Sequence, residues 1–247
     1  MFRNGFVLKH QAALKQIGRK HYKYLSTQER IPLQHFNSRI KQQQSKMSKR
    51  VPQQYDYFLV LDFEATCEKS KQINPQEIIE FPTLKVNAKT YEIESQFHRF
   101  VKPIHNPILS PFCTGLTSIT QDVVEKADPF PTVFKEFDKW IKEEVGLDNT
   151  FLFVTCGDWD LKTMLPNQCD LENLQLPSYC KEWLNIKKSY AIVKGDFIKG
   201  MMPMIRGLSL IHTGHLHRGL DDCLNIVKIL RALADHGCKF LPTMSIQ

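Results

Sequence analysis

The stretch Tyr57-Phe-Leu-Val-Leu-Asp62-Phe-Glu64-Ala-Thr-Cys67 is apolar on both faces until it meets two acids two residues apart. A strand buried from both sides reads this way, and such strands run through the middle of a sheet. Side chains alternate along a strand, so Asp62 and Glu64 project from one face at its end. Carboxylates that close repel each other, and a core does not hold them unpaired; a divalent cation is the usual compensation. The competing explanation is a pair of strand-end acids turned to solvent, and the apolar residues on both faces weigh against it.

Working outward, strands are expected at about 78 to 87 and 91 to 101, joined by the turn-like Asn87-Ala88-Lys89 as an antiparallel hairpin on the first strand. Residues Leu116 to Lys126 are predicted as a helix capped by Thr117. Thr132 to Val145 follows as an amphipathic helix with Val133, Phe137, Trp140 and Ile141 inward. Phe151 to Thr155 reads as a short buried strand that Gly157-Asp158 turns into a helix through Leu165. An irregular stretch with Pro166 and Pro177 leads to a short segment at Trp183 to Ile186, helical turns to about 210, and a helix from Gly219 to His236. Strands first, then alternating helices and strands, give the mixed α/β class. There is no internal repeat and no heptad pattern.

Charge divides the chain. Residues 1 to 50 carry twelve Lys or Arg and one acid, Glu29, so the other 197 residues hold 21 bases against 25 acids. The overall excess of +7 therefore belongs to the N-terminal arm and defines no binding footprint on the folded part. Within the arm, Phe6, Val7, Ala13, Leu14 and Ile17 fall on one side of a helical wheel and Lys9, Lys15, Arg19 and Lys23 on the other. A mitochondrial presequence reads so, as does a basic arm that binds phosphates without sequence preference. Met47 is a candidate alternative start. Residues 1–51 are assigned as this extension, 52–242 as a catalytic domain and 243–247 as a tail. Seven cysteines form no C-x-x-C pair and no zinc-type spacing. Free thiols in a reducing compartment are expected, and no apolar run approaches the ~20 residues that cross a bilayer. The protein is accordingly expected to be intracellular, in cytoplasm or nucleus, or in the mitochondrion if the arm is a presequence.

Two further acid clusters compete with the first for chemistry. In Gly157-Asp158-Trp159-Asp160-Leu161, Asp158 occupies an N-cap position, whereas Asp160 lies inside the first turn and shares a face with Met164. In His212-Thr-Gly-His-Leu-His217-Arg-Gly-Leu-Asp-Asp222, Asp221 stacks over Asn225 and Lys228, taken as a polar face. Asp222 stacks over Ile226 and Ile229, which face the core. Asp222 is thus the buried acid, and His217, five residues earlier, leans over the same site, while His212 and His215 read as loop residues. Acids from three distant segments suit a two-metal phosphodiesterase with a histidine general base.

The runs Leu-Asp62-Phe-Glu64-Ala-Thr-Cys, Gln76-Glu-Ile-Ile-Glu-Phe-Pro82, Cys156-Gly-Asp-Trp-Asp160-Leu-Lys and His217-Arg-Gly-Leu-Asp-Asp222 resemble the DEDDh exonucleases. Within that class they are similar to the enhanced-RNAi exonuclease family, whose members include the histone-mRNA 3′-end exonuclease, and above all to its prion-protein-interactor and Snipper-like branch. The likeness spans about residues 52 to 242. It implies an RNase H-like fold, a mixed five-stranded sheet flanked by helices. It also implies that Asp62, Glu64, Asp160 and Asp222 bind two Mg²⁺ or Mn²⁺ ions, with His217 deprotonating the attacking water. Phe112 and Trp159 would contact the terminal base, Leu116 would wedge beside it, and the backbone of Phe63, Glu64, Ala65 and Thr66 would hold the terminal sugar. Stacking on either aromatic tolerates any base; a core role is the alternative for both.

The activity so implied is release of nucleoside 5′-monophosphates from the 3′ end of RNA, with DNA bearing a single-stranded 3′ end as a second substrate and a monomeric enzyme. Two departures stand out. The SAP-type RNA-binding module and zinc modules of some relatives are not found, so a specific grip on the histone stem-loop is not expected. Ser118 stands where relatives often have glycine. The competing class is a non-catalytic scaffold on a nuclease fold. Dead paralogues usually lose an acid, and here all five key residue types are present.

Overall fold

The computed structural model describes residues 50–247; the basic, presequence-like arm lies outside the described residues. The double-sided apolar run forms β1 (Tyr57–Leu61), and the chain resumes pairing two residues later as β2 (Glu64–Ala65). The hairpin follows as β3 (Ile78–Asn87) and β4 (Ile93–Lys102). Its turn is tied by Asn87 Oδ1, which accepts the Lys89 and Thr90 N–H groups at 2.9 and 3.1 Å.

Two short helices come next, α1 (Pro111–Thr117) and α2 (Gln121–Glu125), where the sequence suggested one helix capped by Thr117. Thr117 is instead the last residue of α1. The break has local causes. Pro111 fits the first helical turn behind Ser110, whose hydroxyl accepts the Cys113 N–H, and Ser118 turns left-handed at φ 60°. Glycine adopts that conformation without penalty, whereas Ser118 carries a side chain into it.

After β5 (Asp128–Pro129) runs α3 (Phe130–Trp140), ending in a wide π-type turn over Ile141–Val145. β6 (Phe151–Thr155) matches the expected strand. A second wide turn over Asp160–Met164 leads into α4 (Leu165–Leu171); Pro166, expected in an irregular stretch, is tolerated in its first turn. β7 (Glu182–Asn185), α5 (Ile186–Lys194), α6 (Met201–Gly207) and α7 (Gly219–Asp235) follow. The last strand is β8 (Met244–Ser245).

The sheet order is β5-β4-β3-β1-β6-β7-β8, with β2 also paired to β3. Five strands of four or more residues make the expected mixed sheet, and three two-residue strands extend it. β3 runs antiparallel to β1, whereas β6 is parallel to β1 and β7 parallel to β6. The carboxyl ends of β1, β6 and β7 therefore share one edge, where open α/β sheets place their ligands.

Helices cover both faces. Phe58, Val60, Leu152 and Val154 pack with residues of α5, α6 and α7, while Leu59, Leu61 and Phe153 pack with α3 and α4. The segment 243–247, read as a tail, belongs to this sheet. Met244 pairs with Trp183, Ile246 N–H donates to Lys181 C=O at 2.9 Å, and Thr243 Oγ1 accepts the Asn185 N–H at 2.8 Å. Ending the chain at Pro242 removes these bonds at about 1 kcal/mol each. The melting temperature should fall by about 5 °C or more; a truncated chain that melts with the full-length protein contradicts this.

Candidate active site

Three parallel strands deliver the first residues. Asp62 follows β1, Asp160 follows β6, and the start of α5 follows β7 at the same edge. Leu61 opposite Thr83 and Glu64 opposite Glu80 keep one register across the gap between β1 and β2. By alternation Asp62 and Glu64 thus lie on the face of Phe58 and Val60, the face that α7 covers. Phe63 between them packs into the opposite core layer and donates its N–H to Asp160 Oδ1 at 2.9 Å, tying the ends of β1 and β6 together.

From α7, Asp222 enters this face buried. Its Oδ2 accepts the His217 N–H at 2.9 Å, and its Oδ1, equally buried, has no hydrogen-bond donor. His217 is exposed and left-handed at φ 63°, strain of the kind that clusters at functional sites. Glu64, His217 and Asp222 each offer a ligand atom, and these atoms all lie within 4.8 Å of one another.

Sequence reasoning missed the residue that fixes α7 in place. Glu80 is 0% exposed; its Oε2 accepts the Gly219 N–H at 2.9 Å, its Oε1 the Leu220 N–H at 3.3 Å, and His98 Nε2 lies 2.8 Å away. An acid at the start of a helix satisfies orphan N–H groups and complements the helix dipole. The signal was present as a lone acid between Ile79 and Phe81 in an apolar strand. Gly219 completes the fit, since a Cβ there would stand 2.7 Å from the Asp62 carbonyl oxygen and 2.9 Å from Pro82 Cγ.

The neighbouring acids have other partners. Asp158 stands at the helix start, where its backbone carbonyl accepts the Lys162 N–H at 2.9 Å, but its side chain makes no cap bond, since Oδ1 accepts the Trp183 indole N–H at 3.0 Å instead. Asp221 accepts the His215 N–H at 2.9 Å. Asn225, taken as part of a polar face, is fully buried and clamps Thr213 through both its carbonyl and its amide. His212 and His215 lie on this clamped loop.

Phe112 and Trp159 are 36% and 39% exposed, so neither is a core residue, and Leu116 is half-buried. Ala65 and Thr66 are buried. Ala65 C=O accepts from the Cys113 thiol at 3.7 Å and Thr66 N–H donates to Glu77 C=O at 2.8 Å, so this segment is held rigidly against α1 and β3.

A family model described as RNase T exonuclease matches residues 59–230. The chain belongs to this exonuclease family. ERI1 exoribonuclease 3 of Homo sapiens is 51% identical over 195 residues, covering 78% of this chain and 58% of the relative. The 3′-5′ exoribonuclease 1 of Rattus norvegicus is 42% identical over 205 residues, 78% of this chain and 57% of that one. The chain thus spans a little under three fifths of these curated relatives. Among solved structures, the nuclease domain of 3′hExo, a DEDDh family member bound to rAMP, superposes with a TM-score of 0.74 at 38% identity, covering 78% of this chain and 98% of that one. Cell-death related nuclease 4 gives 0.72 at 29% identity, covering 77% and 67%. The motif resemblance to ERI1-type DEDDh exonucleases therefore holds, and with it the RNase H-like fold.

DEDDh membership implies divalent metal ions, and the electrostatics of this site fit them. Burial, reinforced by the other acids, pushes the Glu64 carboxyl up to about 9 and holds Asp62 well above the carboxylate range. Burial likewise raises Asp222 to about 7 and Asp160 to about 6, the latter moderated by the Phe63 N–H and the nearby Lys187 ammonium. A crowded oxygen-rich pocket with one buried acceptor lacking a donor suits a hard divalent cation.

Each carboxyl binds its proton more tightly folded than unfolded, where values lie near 4. Folding then takes up protons between about pH 4 and the folded values, and stability falls as pH rises through that window. The metal-free protein should lose about 5 °C or more in melting temperature between pH 5 and 9, on ~1.4 kcal/mol per pKa unit and ~2–4 °C per kcal/mol. Saturating Mg²⁺ should restore most at the alkaline end. A metal-free melting temperature that holds steady or rises over this range contradicts the crowding.

Proposed function

We propose that this chain is a metal-dependent 3′-to-5′ exonuclease acting on RNA, and on DNA with single-stranded 3′ ends, that releases nucleoside 5′-monophosphates as a monomer. One observation carries the reading: the buried acids Glu64, Asp160 and Asp222 and the half-buried Asp62, from three segments, meet at one sheet edge beside an exposed histidine, with Asp222 Oδ1 left without a donor. The relatives named as 3′-5′ exoribonucleases support it, as does a neighbouring structure described as recognising the 3′ end of a histone mRNA stem-loop. The catalytic domain is assigned to residues 52–242, completed by the strand at 244–245. No helix among the described residues is long and apolar enough to cross a membrane. Cytoplasm or nucleus is the proposed location, with the mitochondrion as the alternative if the basic arm directs import.

Asp62, Glu64, Asp160 and Asp222 would hold two Mg²⁺ or Mn²⁺ ions, which supply Lewis-acid stabilisation of the phosphoryl charge and a more acidic water. His217 acts as general base. Its ring has no hydrogen bond among the described residues and stands within ligand reach of Glu64 and Asp222, so it is free to take the proton of the attacking water. As the water oxygen bonds to phosphorus, the P–O3′ bond breaks and the departing 3′ oxygen takes a proton from solvent. Phe112 and Trp159 offer faces for the terminal base with Leu116 beside it, and the rigid backbone from Phe63 to Thr66 holds the terminal sugar.

Purified protein should shorten an oligoribonucleotide from its 3′ end with Mg²⁺ and stop on chelation. Asp62→Ala or Asp222→Ala should reduce cleavage at least about 10³-fold, while the metal-free variants melt no lower than wild type because one repelling charge is gone. His217→Ala should lower kcat about 10²- to 10⁴-fold with metal affinity retained. Near-normal turnover in any of the three refutes the assigned roles, and wild type inert under all these conditions points to a non-catalytic scaffold.

A further inference from the structure

Lys187 is a cation of this edge, and beyond its effect on Asp160 the chemistry above gives it no part. It sits in the first turn of α5, directly after β7, third of the parallel strands whose ends carry Asp62 and Asp160. A cation there opposes the helix dipole. Its neighbour Lys188 is accounted for, since its ammonium donates to Thr243 C=O at 2.9 Å. The Lys187 ammonium makes no side-chain hydrogen bond and closes no salt bridge among the described residues, although its charge reaches Asp160.

Its path is cleared by glycine. A Cβ on Gly157 would stand 3.2 Å from Lys187 Nζ, and Gly157 has φ 145°, so the turn after β6 lets the ammonium lie across it. An unfavourably placed cation, unpaired and given room, calls for an anion from outside the chain.

The order of strands says which anion. Glu64, Asp222 and His217 gather on the β3 side of β1, and β6 with Asp160 lies on the other side, with β7 and Lys187 beyond it. His217 marks the side from which water attacks. In-line displacement expels the leaving oxygen on the opposite side, so the strand upstream of the scissile bond departs toward Asp160 and Lys187. We propose that Lys187 binds the phosphate of the next internal nucleotide, one link to the 5′ side of the scissile phosphodiester. The proposal rests on the exonuclease reading. Lys187 would thereby hold the polymer rather than its terminal nucleotide, and make the enzyme prefer chains to single esters.

The test compares an oligoribonucleotide with a nucleoside 5′-(p-nitrophenyl phosphate), which keeps the scissile bond but has no upstream phosphate. Loss of a charged contact is expected to raise KM for the oligonucleotide about tenfold in Lys187→Ala. The preference for the oligonucleotide over the ester should fall by the same factor. Lys187→Arg should recover most of that preference. The salt dependence of log KM should also weaken by about 0.7, the share of one single-strand phosphate. A Lys187→Ala variant that loses both substrates equally, or neither, overturns the proposal. Wild type that cleaves neither substrate removes the exonuclease reading itself.

Discussion

Like charge crowded at one sheet edge is the constraint on which the rest of the molecule depends. Two carboxylates about 4 Å apart near a protein surface cost about 4 kcal/mol, and Asp62, Glu64, Asp160 and Asp222 repel one another in a buried setting. The fold tolerates this by anchoring two of the acids, and the helix that carries one of them, from behind. Asp160 is held by the Phe63 N–H, Asp222 by the His217 N–H, and α7 itself by Glu80. These bonds fix positions but supply little positive charge, so the pocket is built for a cation from outside. Metal affinity here is stored in the cost of folding without metal.

Parallel pairing of β1, β6 and β7 turns sequence distance into proximity. Ninety-eight residues separate Asp62 from Asp160, yet each follows the end of a neighbouring strand. Lys187 arrives by the same rule from β7. Phe112 and Trp159, the aromatics proposed to meet the terminal base, stand exposed at the surface of a protein whose other large aromatics are mostly buried among the described residues.

Much of this was legible in the sequence, because the decisive signals were local. The two-sided apolar run marked β1 as central, and helical-face geometry separated Asp222, buried, from Asp221, which ties the loop at His215. Where local rules failed, a tertiary partner had overridden them. Asp158 had the position of a cap but is taken by the Trp183 indole, and Asn225 looked like surface but clamps Thr213 from the interior. Pro166 suggested irregularity, yet it lies in the first turn of a helix. Glu80 and Lys187 were passed over because their meaning lies in what other segments bring to them: the bare N–H groups of α7 in one case, the open space over Gly157 in the other. β8 is two residues long and exists only through its pairing with β7.

If burial, reinforced by neighbouring acids, holds these carboxyls protonated, a cation that enters must expel protons, and counting those protons reads the combined effect directly. Isothermal titration of Mn²⁺ into metal-free protein at pH 7, repeated in buffers of different ionisation heat, gives that number. Glu64 at about 9 and Asp222 at about 7 lead to an expected release of more than one proton per protein. Binding with no proton release, or no binding at all, would contradict the view that carboxylate repulsion organises this site around divalent metal.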